Sequence, residues 1–284
     1  MEESKLRKAN TELNKAKNLI KDIEPSLGGP LLSFVCLTSI NMSLAYQVKK
    51  DLRKIEHMEK LYLLVESGGG DIDSTAKLSK LIKKRCDELV TIVPFYAKSA
   101  ATLFALDADK LILCESGELG PVDPQVKHPS VDMWFPARSI EEAIKVVEET
   151  DDKIVKLSMA DKLDPLLLGA YNEARGSSHQ YVKETAEDVS DDKRDDFIHT
   201  FTDRFRSHGH PIDESICEEV GVNLAEIDDD LEEKIQELHE IYVDTGIELG
   251  GDTLIFQTRE LQRVVVGGND ITDQMKSLER EERE

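Results

Sequence analysis

The stretch VPFYAKSAATLFALDADKLILCESGELGPVDPQ, residues 93–125, decides how this chain folds. It begins inside a strand-like apolar run, ELVTIVPFYA; SAATLFALDA then reads as a short helix and DKLILCES as a further strand. Ser99 therefore stands at a strand-to-helix turn. A serine there caps the first turn of the helix, or it presents a hydroxyl to a helix N-terminus, whose partial positive charge favours an alkoxide. The question is which of the two this serine does.

The same alternation continues upstream. LLSFVCLTS is an apolar run short enough for a buried strand, NMSLAYQVKKDLRKI returns to helical spacing, and LYLLVES is another buried strand ending at three glycines. From Asp71 to Asp87, Ile72, Ala76, Leu78, Leu81 and Ile82 share one broad helical face. Strands alternating with helices at this pitch predict βαβ units, a mainly parallel sheet and an α/β core.

The turn ESGGGD, residues 66–71, follows a buried strand directly. Glycines there permit positive φ and close backbone approach, which suits a phosphate cradle, an oxyanion hole or a plain turn. Neither GxxxxGK[ST] nor GxGxxG is present, and Glu66 and Asp71 flank the turn with negative charge, so the phosphate reading loses ground. Two consecutive βα turns open at the carboxyl edge of a parallel sheet, where ligands gather. Glycine N–H groups from one and a hydroxyl from the other would make the nucleophile and oxyanion hole of acyl transfer.

Composition narrows the function classes. The chain has 284 residues, 39% hydrophobic and 33% charged, with a formal net charge of -22. That charge repels a phosphate backbone, and no Lys/Arg cluster with interleaved aromatics offsets it, so nucleic acid is not an expected partner. Cys36, Cys86, Cys114 and Cys217 lie far apart with no CxxC pair, which points to reduced cysteines, a reducing compartment and no zinc or redox motif. No stretch approaches the roughly 18 apolar residues of a membrane span, and the charged N-terminus lacks an apolar leader, so the expected location is cytoplasmic.

Around the core, residues 4–23 space Leu6, Leu13, Ile20 and Ile23 as the narrow stripe of a docking helix, which DIEPSLGGP breaks. Residues 139–159 read as one amphipathic helix opened by a capping box, Ser139 with Glu142, and a second helix starts after Asp164-Pro165. Residues 183–206 are helical, SHGHPID is a turn, LAEIDDDLEEKIQELHEIYV is helix, TLIFQTRELQRVVVGGND contains two short strands, and the acidic tail is frayed helix. The resulting division is an N-terminal helix (1–24), a core (25–222) and an acidic extension (223–284).

The residues carry a resemblance. VPFYAKSAATLFALDADKLILCESGELGPVDPQV, followed by FPARSI, resembles the signature of the serine dehydrogenase proteinase family, which shares the Clp protease and crotonase fold with signal peptide peptidase A. The likeness spans roughly Leu31 to Val222 and includes SHGHPID with EEVGV after it. It implies a spiral of ββα units, usually oligomeric, with Ser99 as nucleophile and the backbone N–H groups of Gly69 and Ala100 as the oxyanion hole. Three departures stand out. The usual serine or threonine, proline, glycine, glycine turn is Ser67-Gly68-Gly69-Gly70; Lys98 and Ala100 flank the serine where relatives carry methionine and glycine; and Asp123 stands near where Clp proteases supply a histidine.

The general base is therefore open. By analogy with signal-peptide-peptidase relatives, Lys145 or Lys153 on the 139–159 helix is a candidate, and Lys98 ranks below them because sequence neighbours at a turn seldom face each other. Asp123 and His208 are possible auxiliaries, His210 shares the turn of His208, and His128 and His179, read in irregular stretches, are further bases to test. The expected function is a serine peptidase, a homo-oligomer acting on peptide or unfolded protein through an acyl-enzyme, with no cofactor and no metal. The alternatives are a catalytically inactive assembly protein of the same fold and, with less support, acyl-CoA chemistry of the crotonase kind.

Overall fold

The computed structural model describes residues 2–127, 134–136 and 138–281. The chain opens with helix α1 (Glu3–Leu27), then strand β1 (Leu31–Cys36), α2 (Met42–Leu52), β2 (Met58–Ser67), α3 (Ile72–Lys83), β3 (Cys86–Val93) and the two-residue β4 (Tyr96–Ala97). A single 3-10 turn, Ser99–Ala101, runs into α4 (Thr102–Leu106), followed by β5 (Lys110–Leu113) and β6 (Glu118–Leu119). A hairpin of β7 (Gln125–Lys127) and β8 (Trp134–Pro136) precedes α5 (Arg138–Glu149), α6 (Lys153–Ala160), α7 (Pro165–Thr185) and α8 (Arg194–Thr202). The chain closes with α9 (Glu214–Glu219), α10 (Asp229–Glu248), β9 (Thr253–Gln257), β10 (Gln262–Val266), β11 (Asn269–Asp270) and α11 (Thr272–Glu281).

Contacts divide these elements into two compact units. The first comprises residues 1–120 and 211–284, the second residues 121–210. In the first, β1, β2, β3 and β5 run parallel, and β9, β10 and β11 extend the same sheet in antiparallel fashion beyond β1, in the order β11-β10-β9-β1-β2-β3-β5. The parallel strands are buried on both faces, as βαβ crossovers require. Tyr62, Leu64, Val90, Ile92 and Ile112 on one face join the apolar stripes of α1 and α10 in one core cluster. On the other face Phe34 meets Phe104 of α4, ring centroids 5.1 Å apart.

The expected α/β core with a mainly parallel sheet is thus present. All four cysteines are unpaired and buried, and burial pushes the Cys36, Cys114 and Cys217 thiols up to about 12. Leu6, Leu13, Ile20 and Ile23 are all buried along α1. That helix does not break at Pro25, which sits in its last turn; it ends at Gly28 in the left-handed region (φ 74), whose N–H bonds the Glu24 carbonyl. A proline there forfeits only one helical hydrogen bond, whereas the left-handed residue stops propagation.

In the second unit the helix expected over 139–159 is two. Asp152 accepts hydrogen bonds from the Ile154 and Val155 N–H groups and starts α6 anew, so the polar run Thr150-Asp151-Asp152 breaks what the apolar spacing alone continues. Ser139 is not the cap, since α5 begins at Arg138, and Glu142 pairs with Lys145 instead. The start at Asp164-Pro165 is as read, with Asp164 accepting from the Leu166 N–H. Neither α5 nor α6 buries a residue; burial in this unit gathers on α7 and α8, where Phe197 and Phe201 pack 5.0 Å apart.

Candidate active site

The glycine turn after β2 and the serine turn after β4 meet in the first unit. Ser67 pairs with Ala97 in parallel register, and the Lys98 N–H donates to the Ser67 carbonyl (2.9 Å). The glycine turn is tied down by Ile40, whose N–H donates to the Gly69 carbonyl and whose carbonyl accepts the Asp71 N–H. Asp71 itself caps α3, accepting from the Ser74 N–H at 2.8 Å.

Glycine is required at both ends of this contact. Gly69 has φ +98, and a Cβ there would lie 2.7 Å from the Lys98 carbonyl oxygen and 3.0 Å from both the Ala100 nitrogen and the Ser99 Cβ. Gly70 has φ +152, and a Cβ there would fall 2.3 Å from the Ile40 carbonyl oxygen. The backbones approach as closely as the missing side chains allow.

Ser99 has φ 52, and among the described residues no other non-glycine residue has positive φ. Such a backbone costs about 1–3 kcal/mol and persists where the surroundings over-determine it. Ser99 is half-buried, and among the described residues its hydroxyl has no hydrogen-bond partner, so it is not working as a helix cap. The buried Ala100 N–H likewise finds no acceptor among the described residues, whereas the Gly69 N–H donates to Ser67 Oγ at 3.1 Å. Thr102 braces the turn from behind, its hydroxyl oxygen within hydrogen-bonding distance of the Ala97 and Gly120 carbonyl oxygens, 2.9 and 2.8 Å away.

Lys98 faces away from duty as a base. Its Nζ donates to the Leu119 carbonyl (3.0 Å) and pairs with Glu118 (2.6 Å), and its stem lies over Gly120, where a Cβ would be 2.7 Å from Lys98 Cδ. Lys145 and Lys153 lie in the second unit on α5 and α6, both exposed, Lys145 paired with Glu142 at 3.0 Å. In the same unit Asp123 and His208, 85 residues apart in sequence, form a hydrogen-bonded pair through His208 Nδ1. His210 stacks on Phe205, ring centroids 3.9 Å apart. His179 is not in an irregular stretch: it lies on α7, with Nε2 2.6 Å from Asp203. His128 lies outside the described residues.

The sequence reading passed over Glu66 except as a flanking charge. Its side chain is buried, accepts a hydrogen bond from the Tyr96 N–H (3.0 Å), and stands 3.2 Å from Nε2 of His239 on α10. A carboxylate directly after the apolar run from Leu61 to Val65 was the available signal. Among the described residues no three His, Cys, Asp or Glu side chains converge as metal ligands, and no helix is long and apolar enough to cross a membrane.

The chain is similar to several known proteins. Over 217 residues the chain is 26% identical to the uncharacterized protein MJ0137 of Methanocaldococcus jannaschii, spanning 76% of this chain and 68% of that protein. A second protein of that organism, MJ1495, is 24% identical over 219 residues, 76% of this chain and 66% of its own length. Among solved structures it is similar to the S97A mutant of the 1510-N membrane-bound stomatin-specific protease (TM-score 0.46, 12% identity, 72% of this chain and 81% of that one). ClpP1 from Listeria monocytogenes is another (TM-score 0.43, 13% identity, 74% and 97%). The family model described as ClpP-like SDH-type serine proteinase matches residues 18–248, most of the chain, and the protein belongs to that family.

Proposed function

We propose that this protein is a serine peptidase that cleaves peptide bonds through an acyl-enzyme on Ser99. One observation carries the reading: the half-exposed Ser99, strained at φ 52 with an unbonded hydroxyl, sits against the glycine turn at Gly69. The Ala100 N–H is the first oxyanion donor. The Gly69 N–H is the second, once the developing negative charge draws it from Ser67 Oγ, a neutral acceptor. Substrate is peptide or unfolded protein, bound through its main chain along exposed strand edges. The working form is a homo-oligomer in the cytoplasm.

The candidates for the general base are Lys145 and Lys153, with Asp123 and His208 as auxiliaries. Asp123 and His208 form a hydrogen-bonded pair through His208 Nδ1. Lys145 and Lys153 are exposed, and Lys145 is already paired with Glu142.

A fluorophosphonate tests the reading directly. Wild type is expected to be labelled on Ser99, and Ser99→Ala to lose labelling and peptide hydrolysis by about a thousandfold or more. Lys145→Ala, Lys153→Ala and His208→Ala are compared with wild type, and the variant that slows labelling about a hundredfold identifies the base. The second reading, an inactive assembly protein of the same fold, draws on the Gly69 N–H being engaged within its own turn. A folded wild type that resists labelling while binding partner proteins would favour it.

A further inference from the structure

We infer that Glu66, held by His239 of α10, is a positioning residue for the Ser99 turn; the inference rests on the peptidase reading and adds residues to it. Glu66 is the next-to-last residue of β2, 1% exposed, and His239 is 8% exposed. A carboxylate so deeply buried is costly unless it is paired and hydrogen-bonded. For packing alone an apolar side chain would serve as well, and the rest of β2 from Leu61 to Val65 is apolar.

What the carboxylate supplies is an acceptor where the sheet has none. Strand β4 is two residues long and pairs with β2 only at Ser67 with Ala97, so the Tyr96 N–H has no carbonyl from β2 and takes Glu66 Oε2 instead. Tyr96 stands three residues before Ser99. The neighbour of Glu66, Ser67, accepts the Gly69 N–H and, through its carbonyl, the Lys98 N–H. One side chain thus ties the approach to the nucleophile to the strand that carries the oxyanion turn.

Helix α10 holds the other end. His239 Nε2 stands 3.2 Å from Glu66 Oε2 without the alignment of a hydrogen bond, and among the described residues it has no other acceptor. One turn earlier, Gln236 Nε2 donates to the Pro94 carbonyl at 3.1 Å, and the ring of Phe95 lies 6.3 Å from that of His239. Residues 94–96 are gripped from α10 at two points on one helical face. Burial, then the nearby Glu66 carboxylate, raises the Tyr96 phenol above its ordinary value.

The test uses the full-length protein. Labelling of Ser99 by a fluorophosphonate is measured across reagent concentration, and amide exchange across residues 96–101, in wild type, His239→Leu, His239→Gln and Glu66→Leu, all well below their melting temperatures. The expected result for His239→Leu and Glu66→Leu is a tenfold or greater loss in the saturated labelling rate. The half-saturating concentration should stay within twofold, and the Tyr96 amide should exchange at least tenfold faster. His239→Gln, which keeps an N–H beside the carboxylate, should stay within threefold of wild type. Wild-type labelling rates and exchange in both leucine variants, or equal losses in His239→Leu and His239→Gln, overturn the inference. If wild type is not labelled at all, the peptidase reading fails and the exchange measurement alone decides the positioning role. If the leucine variants do not fold, Gln236→Ala should speed exchange of the same amides at least threefold, and unchanged exchange there overturns the inference.

Discussion

The two units are held together by different forces. In the first, a sheet buried on both faces carries apolar helices on each side, and α1 alone buries seven apolar side chains over seven turns. In the second, α5 and α6 bury nothing, while Ile154, Leu157 and Leu166 stand 81%, 62% and 84% exposed. Beside the small apolar core on α7 and α8 it carries a polar network: Arg138 donates to the Asp203 and Phe205 carbonyls, Arg175 bridges Glu141 and Asp203, and His179 meets Asp203. Close packing can hold a strained residue such as Ser99 in place, because every displacement opens a void or a clash. Charge networks respond to pH and salt. The strained serine belongs to the unit that can afford the strain.

The contrast is broken most directly with glycine. Gly70→Ala is expected to destabilise the protein by about 3 kcal/mol or more, since the new Cβ meets the Ile40 backbone at φ +152. Gly176→Ala on α7, where nothing lies within 4 Å, is expected to stabilise by about 0.5–1 kcal/mol. Denaturant melts of both variants check the opposite signs; a loss of stability in both would remove the distinction.

Truncating leucines sharpens it. Leu13→Ala in α1, a fully buried side chain, should cost about 2–5 kcal/mol, and Leu157→Ala in α6 no more than about 0.5 kcal/mol. Comparable midpoint shifts in urea would mean that the α6 surface is buried in solution.

Ser99→Gly has a smaller effect, of the opposite sign for stability and function. Glycine adopts φ 52 freely, so the variant should gain about 1 kcal/mol and a few degrees in Tm while losing fluorophosphonate labelling entirely. An unchanged or lower Tm would mean that the serine is not strained.

The smallest effect is a pH dependence located in the second unit. Burial opposes ionisation of Asp203, but the charges of Arg175 and His179, with hydrogen bonds from His179 and Thr202, outweigh it and hold the carboxyl below its usual range. A depressed carboxylate contributes its stability above the unfolded value of about 3.9 and loses it as pH falls through the folded value. Exchange protection in α7 and α8 should therefore hold at pH 5 and decline below about pH 4, and Asp203→Asn should flatten that decline. Asp51, lowered by Arg263 and Lys54 against its own burial, makes the same acid-sensitive contribution in the first unit. An acid slope unchanged by Asp203→Asn would show that this network does not set it.

Much of the fold was legible because its signals are local. Apolar runs of strand length, helical spacing in α1 to α3 and the Asp164-Pro165 start each depend on a few adjacent residues, and the structure has them. The α5–α6 break was missed because Asp152 acts through one side-chain acceptor, which a periodicity count does not weigh. At the candidate site, Ser99 and the glycine turn could be named from residue type and position. Glu66 with His239, 173 residues apart, and Asp123 with His208 could not be paired, because nothing in a linear order marks two distant ionisable groups as neighbours.

By itself, then, the sequence determined the alternation of elements, the α/β class and the two turns from which an acyl-transfer site could be built, since hydrophobic period and glycine placement are written residue by residue. Only the tertiary structure decided that Gly69 and Ser99 touch, that the Ser99 backbone lies in the left-handed region, and that a buried carboxylate stands beneath the turn. Those are consequences of sheet register and close packing, which arise when strands far apart in the chain are brought within 5 Å of one another.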